Sequence, residues 1–267
     1  MKTLTGKNVV ITGAAAGIGR LMALNFAREK ANIALIDIDR RRLEETEREC
    51  TALKVKARSY VCDVSSKKMV DGVAKEIRKE FDRIDILVNN AGVVAGKPFL
   101  DLSYEDVKRT MDINFMGTII LTQAFLPAMV VRNDGHIVNI ASSAGFLGMP
   151  NLSDYCASKF AEVGFTDSLR LELKKFGHTG VKLTCVCPYV ISTGMFKGFK
   201  PFIFNPVLTP EYVAARVLQG VKKDKAYVVM PFMVRLIKYV KLFPVGIQDW
   251  IVANMGANRA MDTFKGK

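Results

Sequence analysis

The chain has 267 residues, of which 49% are apolar, and its formal net charge is +13. The composition favours one domain over residues 1–267, because no Ser-, Gly- or Pro-rich linker and no repeat divides the chain. Five scattered cysteines and only two histidines argue against a disulfide framework and against a metal site, and the positive charge comes without a nucleic-acid-binding motif.

Short runs rich in Val and Ile alternate along the chain with longer helical patterns. The predicted strands are 8–12, 32–37, 57–62, 84–89, 136–141, 181–187 and 226–230. The predicted helices lie near 17–29, 40–53, 66–80, 104–131, 154–176 and 210–222. Strand segments that are apolar on both faces are typical of parallel strands covered on two sides. The pattern therefore predicts an α/β fold, a doubly wound parallel sheet of about seven strands with helices on both faces.

The first predicted strand runs into a glycine-rich stretch, TGAAAGIGR at 12–20. Its glycines do not follow the G-x-G-x-x-G spacing, but the physical purpose is the same. A turn without Cβ atoms lets the backbone approach a phosphate, and the helix that follows directs its first N–H groups at the negative charge. We therefore predict that Gly13, Gly17, Ile18 and Gly19 bind the pyrophosphate of a dinucleotide.

The second predicted strand ends at Asp37. A carboxylate at this position accepts hydrogen bonds from the adenosine ribose hydroxyls and repels the 2′-phosphate of NADP, which predicts NAD as the cofactor, with NADP the alternative. The opposing feature is the run Arg40, Arg41 and Arg42, which we interpret as the exposed first turn of a helix.

Further cofactor contacts are predicted where the next two strands end. Asp63 could accept from the adenine amino group, with Val64 against the adenine ring. Asn90, Ala91 and Gly92, in the motif NNAG, put small residues where the cofactor must pass. Carboxyl ends of parallel strands share one edge of a sheet, so these residues and the glycine turn predict one continuous dinucleotide site.

The fifth predicted strand leads to candidate catalytic residues. It runs into IASSAG at 140–145, and Tyr155 follows Ser142 by 13 residues on a helix that also carries Lys159. Tyr155 and Lys159 are four residues apart and share one helix face. Lowering a phenol pKa from about 10 to about 7 requires about 4 kcal/mol, which a nearby ammonium and an oxidised nicotinamide would largely supply. Ser143 is the alternative to Ser142.

Taken together, these motifs resemble the short-chain dehydrogenase/reductase family. T-G-x-x-x-G-x-G, N-N-A-G, Asn114, Ser142 and Y-x-x-x-K occur in the family's order over about residues 5–230. The resemblance implies a Rossmann-type fold with Tyr155 as general acid/base and Ser142, favoured over Ser143 by its spacing, as hydrogen-bond partner of the substrate oxygen. It implies that Lys159 lowers the tyrosine pKa and binds the nicotinamide ribose, and that Asn114 helps hold a water in a proton relay.

The stretch CPYVISTGMF at 187–196 is similar to the family's P-G-x-x-x-T segment beside the nicotinamide. The similarity implies that Pro188 lies against the cofactor, that Val190 contacts the carboxamide through its backbone and that Thr193 does so through its hydroxyl. Tyr189 stands where the family usually has glycine, so a different local backbone is expected at this position.

Residues 194–208 occupy the place of the family's variable substrate lid. Phe196, Phe199, Phe202 and Phe204 lie in this segment, which offers no carboxylate. Such a lid favours a lipophilic alcohol or ketone over a sugar, and Phe196 and Phe199 are the predicted substrate contacts. Packing of the phenylalanines against the core is the alternative explanation.

The C-terminal extension, 230–267, combines apolar and basic residues. Arg235, Lys238 and Lys241 are spaced at three residues amid bulky apolar side chains, with Trp250 further on. Two interpretations of 230–256 stay open: peripheral contact with a membrane interface, or burial between subunits. The stretches YCASKFAEVGF and AMDTFKGK are similar to the branch of retinol dehydrogenases and type-11-like 17β-hydroxysteroid dehydrogenases.

The function we predict is hydride transfer between NAD and a lipophilic alcohol, ketone or aldehyde such as a retinoid, a steroid or a long-chain alcohol. The alternatives are an NADPH-dependent reductase of 3-oxoacyl thioesters and a catalytically idle NAD-binding scaffold at a membrane. The resemblance implies a homodimer or homotetramer formed through the helices near 104–131 and 154–176. No signal-peptide layout and no run of 18 apolar residues is present, which predicts a cytoplasmic or peripherally membrane-associated protein.

Overall fold

A computed structural model describes residues 3–201 and 206–264. Seven strands form one parallel sheet in the order β3-β2-β1-β4-β5-β6-β7. They are β1 (Asn8–Thr12), β2 (Asn32–Asp37), β3 (Ala57–Val61), β4 (Ile86–Asn89), β5 (Gly135–Ile140), β6 (Val181–Pro188) and β7 (Tyr227–Met230). The strand order reverses between β1 and β4, and ligands bind beyond the carboxyl ends of the strands at such a switch point.

Helices cover both faces of the sheet, as the sequence predicts. They are α1 (Gly17–Arg28), α2 (Arg40–Ala52), α3 (Lys67–Glu80), α4 (Tyr104–Met111), α5 (Gly117–Arg132), α6 (Ser153–Lys175), α7 (Pro210–Lys222), α8 (Val234–Val240) and α9 (Val245–Asn254). One apolar cluster joins the sheet to α1, α2 and α7, and a second joins it to α3, α5 and α6. The prediction of a doubly wound α/β fold is confirmed.

Alternation along β1 shows why the strands are apolar throughout. Val9 and Ile11 lie in the cluster with α1, whereas Val10 lies in the cluster on the opposite face, and all three are buried. Successive side chains of a strand point to opposite faces, so a strand with helices on both sides needs apolar residues at every position. One sheet receives strands from residue 8 to residue 230, while the assignment of 1–267 to a single domain stays a prediction.

Two regions differ from the sequence prediction. The predicted helix near 104–131 is divided by a π-helical segment, Asp112–Met116, between α4 and α5. The C-terminal extension, where one of the two interpretations is a helix over 230–256 buried between subunits, contains two separate helices, α8 and α9. A π turn inserts one residue into a helix and frequently marks a functional site, and this one carries Asn114.

One helix among the described residues is long and apolar enough to cross a membrane. It covers 104–132 and reaches a mean hydropathy of 1.5, so its composition alone does not exclude a span, contrary to the sequence expectation. In the structure α5 packs against β4, β5 and α3, and its residues contribute to the core cluster on that face of the sheet. Burial within the fold therefore explains part of the apolar character of this helix, of whose apolar window 44% is buried.

Candidate active site

A pocket of about 450 Å³ opens at the carboxyl edge of the sheet, around the switch point between β1 and β4. The predicted site residues that line it are Gly13, Gly17, Ile18, Gly19, Asp37, Asn90, Ala91, Gly92, Ser142, Tyr155, Lys159, Pro188, Val190, Thr193, Phe196 and Phe199. Residues far apart in the chain thus share one cavity. Asp63, Val64 and Asn114 do not belong to this lining.

The glycine turn is shaped by close backbone approaches. Gly13 has a φ of +64°, and a Cβ atom at this position would lie 2.8 Å from the side-chain nitrogen of Asn90. A Cβ atom at Gly19 would lie 1.9 Å from the carbonyl oxygen of Gly13, which leaves no room for any side chain. Ala16, which precedes α1, has no side-chain cap, so the first N–H groups of α1 stay available to a ligand.

Hydrogen bonds from the end of β4 fix this turn in place. The Asn90 amide nitrogen Nδ2 donates to the carbonyl oxygens of Thr12 and Gly13, at 2.8 and 3.3 Å. The Thr12 hydroxyl accepts from the backbone N–H groups of Asn90 and Ala91, at 2.9 and 3.0 Å. The motif NNAG therefore ties the ends of two adjacent strands together at the pocket, through the Asn90 side chain and through two backbone N–H groups.

Asp37 lies at the end of β2 on the wall of the pocket. One carboxylate oxygen accepts from the N–H of Ala15 and the other from the N–H of Asp39, each at 3.0 Å. Arg42 also lines the pocket, and its guanidinium lies 3.6 Å from the Asp39 carboxylate. The sequence interpretation of the arginines as an exposed first turn holds, since α2 begins at Arg40 and all three are exposed, and Arg42 lies in addition beside the pocket.

This edge of the pocket fits a dinucleotide. It offers a turn in which Cβ atoms would collide with the backbone, an uncapped helix start and a carboxylate at the end of the second strand. A pyrophosphate is recognised by the first two features and a ribose diol by the third. The chain's own residues therefore match the shape and charge of a nicotinamide dinucleotide.

Two predicted adenine contacts lie elsewhere. Asp63 accepts from both the backbone N–H and the hydroxyl of Ser65, at 2.9 and 2.7 Å, which shapes the turn before α3. Val64 is buried and packs against Gly117, where an added Cβ atom would lie 2.9 Å from the valine side chain. In this structure both residues serve local packing, and their contact with adenine stays a prediction.

Asn114 sits in the π segment and is completely buried. Its amide nitrogen donates to the carbonyl oxygen of Val93 at 2.9 Å and to the hydroxyl of Ser158 at 3.0 Å, while its oxygen accepts from the N–H of Val93 at 2.7 Å. The side chain therefore secures the loop after β4 against α6. A role in holding a water stays a prediction.

Ser142, Tyr155 and Lys159 come together at the other end of the pocket. The Ser142 hydroxyl caps a short 3-10 turn by accepting from the N–H of Ala144 at 3.1 Å, and it lies close enough to Tyr155 to lower the pKa of the phenol. The Lys159 ammonium lies 5.7 Å from the centroid of the Tyr155 ring. The contact with Tyr155 involves Ser142, whereas Ser143 begins the turn and lines the pocket beside it.

The electrostatics of Tyr155 differ from the sequence argument. Burial raises the pKa of the phenol, while the Lys159 ammonium and the Ser142 hydrogen bond lower it and the Glu162 carboxylate raises it. The sequence argument considers the Lys159 ammonium, which lowers the tyrosine pKa. It leaves out the desolvation of the phenol and the charge of Glu162, which both raise that pKa. In the protein alone, the net direction of the pKa shift is upward.

The segment after β6 is held by backbone pairing. Tyr189, at the usual glycine position, is buried, and its N–H donates to the carbonyl oxygen of Met230 at 2.9 Å. Val190 accepts from the N–H of Leu208 at 2.8 Å, so its carbonyl is engaged. Thr193 stands close to the glycine turn, with its methyl group 3.4 Å from the position of a Cβ atom on Gly17. Tyr189 therefore joins the core, and its ring packs edge-on against Phe199 at 5.9 Å.

The substrate end is walled by aromatic rings. Phe196 packs edge-on against Tyr155 at 5.5 Å and against Phe199 at 6.2 Å, and Phe264 from the C-terminal segment lies 6.5 Å from Phe196. Met261 is buried in the same cluster. Phe202 and Phe204 of the predicted lid lie outside the described residues.

Sequence reasoning missed several residues of this wall. Met149 and Leu152 line the pocket from the loop before α6 and Val94 from the loop after β4, and Met261 and Phe264 reach it from the C-terminal segment. The lid is tied to that end, because the N–H of Lys200 donates to Ala260 and the Thr263 hydroxyl donates to Gly198. In the sequence, the spacing of three residues between Met261 and Phe264 is the signal that could have indicated this wall. Such apolar pairs occur in any packed helix or turn, so the spacing does not identify a pocket residue.

Comparison with known proteins agrees with this geometry. The family model of short chain dehydrogenases matches residues 7–202. The chain is 39% identical to epidermal retinol dehydrogenase 2 of Mus musculus, with 100% of this chain and 87% of that protein covered. It is 40% identical to estradiol 17-beta-dehydrogenase 11 of Homo sapiens, with 86% of this chain and 76% of that protein covered.

Solved structures share the fold. A short chain dehydrogenase/reductase from Burkholderia phymatum in complex with NAD has a TM-score of 0.82 and 26% identity, covering 91% of this chain and 95% of that one. A metagenomic short-chain oxidoreductase in complex with NADP has a TM-score of 0.72 and 29% identity, covering 85% of this chain and 96% of that one. The chain belongs to the short-chain dehydrogenase/reductase family and is a nicotinamide-dependent oxidoreductase acting on CH–OH groups.

Proposed function

We propose that the protein is an NAD-dependent dehydrogenase that interconverts a lipophilic alcohol and its aldehyde or ketone. The observation that carries this proposal is the position of Tyr155, which borders the glycine-lined cofactor edge on one side and the aromatic wall of Phe196 and Phe199 on the other. A retinoid, a steroid or a long-chain alcohol fits such a wall, and two relatives are named for retinol and estradiol.

The proposed roles follow from where the side chains lie. A bound nicotinamide supplies hydride exchange with the carbinol carbon. Tyr155 takes the proton of the alcohol during oxidation, or donates it during reduction, and the hydroxyl of Ser142 hydrogen-bonds the same substrate oxygen. Lys159 opposes the effect of burial on the tyrosine and keeps a donor directed at the pocket. Asn114 holds the Val93 loop at the pocket wall.

NAD is the proposed cofactor because the Asp37 carboxylate is fixed at the pocket by two backbone N–H groups. A carboxylate fixed at this position accepts hydrogen bonds from the adenosine ribose hydroxyls of NAD. It repels the 2′-phosphate that NADP carries in place of one of them. Arg42 is the group that would favour a 2′-phosphate, and the Asp39 carboxylate beside it offsets its charge.

An activity panel tests the proposal. The purified chain is assayed with retinol, a steroid alcohol and a long-chain alcohol, each with NAD and with NADP, and the Tyr155→Phe variant serves as the blank. Turnover of at least one alcohol with a higher kcat/KM for NAD supports the proposal. Reduction of a 3-oxoacyl thioester by NADPH in preference to all of these would replace it with the reductase. NAD binding without turnover of any compound would replace it with an idle scaffold.

We propose in addition that the protein attaches peripherally to a membrane from the cytoplasmic side. Val234 and Ile237 anchor this segment in the core, but most large apolar side chains of 232–250 are exposed, as shown by Leu242 at 78% and Trp250 at 67%. Arg235 and Lys241 are exposed beside them, and Arg235 lies over the ring of Phe232 at 5.6 Å. An apolar surface with cationic side chains is complementary to anionic headgroups above an acyl layer. The side chain of Lys238, the third predicted cation, lies outside the described residues.

Vesicle flotation tests this attachment. The protein is expected to float with vesicles that contain phosphatidylserine and to float less with phosphatidylcholine alone, whereas Leu242→Asp should stay at the bottom of the gradient. Phe176→Asp, which changes another exposed apolar side chain, should behave as the wild type. If Leu242→Asp floats normally, or if it converts an oligomer into monomers instead, the surface is not a membrane contact.

We also propose a homodimer or homotetramer assembled through α5 and α6. Val131 at the end of α5 and Phe160 and Leu171 on α6 are large apolar side chains left exposed in the single chain. Light scattering during size-exclusion chromatography is expected to give a multiple of 29.6 kDa. A monomer at micromolar concentration would contradict the proposal.

A further inference from the structure

Glu162 is a buried carboxylate in direct contact with the proposed catalytic lysine. Its side chain, on α6, accepts from the Lys159 ammonium at 2.6 Å, and the residues are 1% and 5% exposed. The second oxygen of Glu162 accepts from the Thr118 hydroxyl of α5 at 3.3 Å. An ion pair so far removed from water is costly to form, so its presence beside the pocket calls for an explanation.

The contacts of Lys159 show what the pair does to the ammonium. One N–H group donates to Glu162 and another to the carbonyl oxygen of Ile140, at 2.9 Å. An ammonium has three donors, and the third has no protein partner within 3–201 and 206–264. Since Lys159 lines the pocket, two fixed contacts leave that donor for a ligand.

We propose that Glu162 is a positioning residue of the hydride-transfer site, whose carboxylate fixes Lys159 and offsets its positive charge at Tyr155 and at the nicotinamide end of the pocket. This inference rests on the proposed roles of Tyr155 and Lys159. It adds a negative charge to an active-site end that would otherwise carry only a positive one.

The charges around the pair determine the sign of the effect. The titratable groups that face it are Tyr155 on α6 and the thiols of Cys185 and Cys187 on β6, while α5 contributes the uncharged Thr118. Burial lowers the pKa of Lys159, but Glu162 and Tyr155 raise it, and the net direction is upward. Glu162 raises the pKa of both Tyr155 and Lys159. Without its charge, the coupled pair therefore has a lower pKa and loses a proton at lower pH.

Cofactor binding gives a readout that does not require turnover. The nicotinamide ring is positive in NAD and neutral in NADH, so a nearby carboxylate favours the oxidised form. In Glu162→Gln, which keeps the shape and an acceptor oxygen, the ratio of Kd for NAD to Kd for NADH is expected to rise about fivefold. Glu162→Asp keeps the charge and should stay within about twofold of the wild type.

The matched control is Glu172→Gln, which makes the same substitution on the exposed surface of α6. It should leave the ratio unchanged, since a distant exposed charge is screened. Equal weakening of NAD and NADH binding in Glu162→Gln, or an unchanged ratio, would overturn the proposal. Burial raises the pKa of Glu162 itself, so the wild-type ratio should also rise as the pH falls through that pKa. If Glu162→Gln does not fold, Glu162→Ala is measured in its place, and an unchanged ratio in that variant overturns the proposal.

A pH profile provides the second readout. The acidic limb of kcat/KM for alcohol oxidation is expected to move about one pH unit lower in Glu162→Gln, and to stay in place in Glu172→Gln. A purely structural role of Glu162 would lower the plateau without moving the limb. Full turnover by Tyr155→Phe would refute the proposed function, whereas the binding ratio is measured without turnover and tests Glu162 alone.

Discussion

The two ends of the pocket are held in shape by different kinds of interaction. The cofactor end is defined by Gly13–Gly19, Asp37 and Asn90. Its contacts are hydrogen bonds to backbone groups, and its glycines lie where an added Cβ atom would collide with neighbouring atoms. At the substrate end, defined by Phe196, Phe199 and the C-terminal pair Met261 and Phe264, the contacts are between rings and apolar side chains.

The contrast explains how one fold combines a fixed cofactor with a variable substrate. Hydrogen bonds to backbone atoms require defined distances and directions, so the cofactor end tolerates few changes. Apolar packing requires mainly the right volume, so the substrate end can be refilled by other side chains without loss of the fold. Tyr155 lies at the junction, because Ser142 contacts it from the sheet and Phe196 from the lid.

The largest expected effect is at this junction. Tyr155→Phe removes the group that exchanges the proton with the substrate oxygen, so kcat is expected to fall by about 10³-fold, the scale of general acid–base catalysis. The Kd for NAD should change by less than about threefold, since the ring and its contact with Phe196 are kept. Steady-state kinetics and calorimetric titration with NAD measure the two quantities. Turnover within about tenfold of the wild type would show that another group transfers the proton.

A smaller effect is expected at the cofactor end. Asp37→Ala removes a charged hydrogen-bond acceptor for the ribose of NAD and the repulsion of a 2′-phosphate, so the ratio of kcat/KM for NAD to that for NADP should fall by about 10- to 100-fold. Initial rates with both cofactors and one alcohol measure this ratio.

The control for Asp37→Ala is Asp37→Asn, which keeps an oxygen that can accept from the N–H of Ala15. If both variants shift the ratio equally, charge determines the preference; if only Asp37→Ala shifts it, the geometry of the turn does. A wild-type enzyme that already prefers NADP would contradict the assignment of Asp37 altogether.

The difference between the two ends also decides what the sequence could predict. The order of strands and helices follows from apolar segments such as NVVIT and NIALID, and the cofactor turn follows from glycines whose spacing reflects backbone collisions. Gly13, Asn90 and Asp37 could therefore be assigned to the pocket from the sequence alone. Asp63 is harder to assign from its position at a strand end, because its carboxylate is also used by the local turn with Ser65.

The substrate end was less predictable because its residues come from distant parts of the chain. Phe264 reaches Phe196 from the far end of the chain, and no periodicity connects a lid with a chain end. Glu162 was missed for another reason. A glutamate on a helix is usually exposed, and only the folded structure, in which Thr118 of α5 contacts this carboxylate, shows that Glu162 is buried.

The smallest expected effect is at the substrate end and tests whether the two ends of the pocket act independently. Phe196→Ala removes a ring that packs edge-on against Tyr155 and Phe199, and such aromatic pairs contribute about 0.5–1.5 kcal/mol each. We expect kcat/KM for a lipophilic alcohol to fall about fivefold to tenfold, and the Kd for NAD to stay within about twofold. Phe176→Ala, which removes an exposed ring outside the pocket, should change neither quantity. If Phe196→Ala weakened NAD binding as much as it slowed alcohol oxidation, the two ends would not be independent, and the lid would have to count as part of the cofactor site.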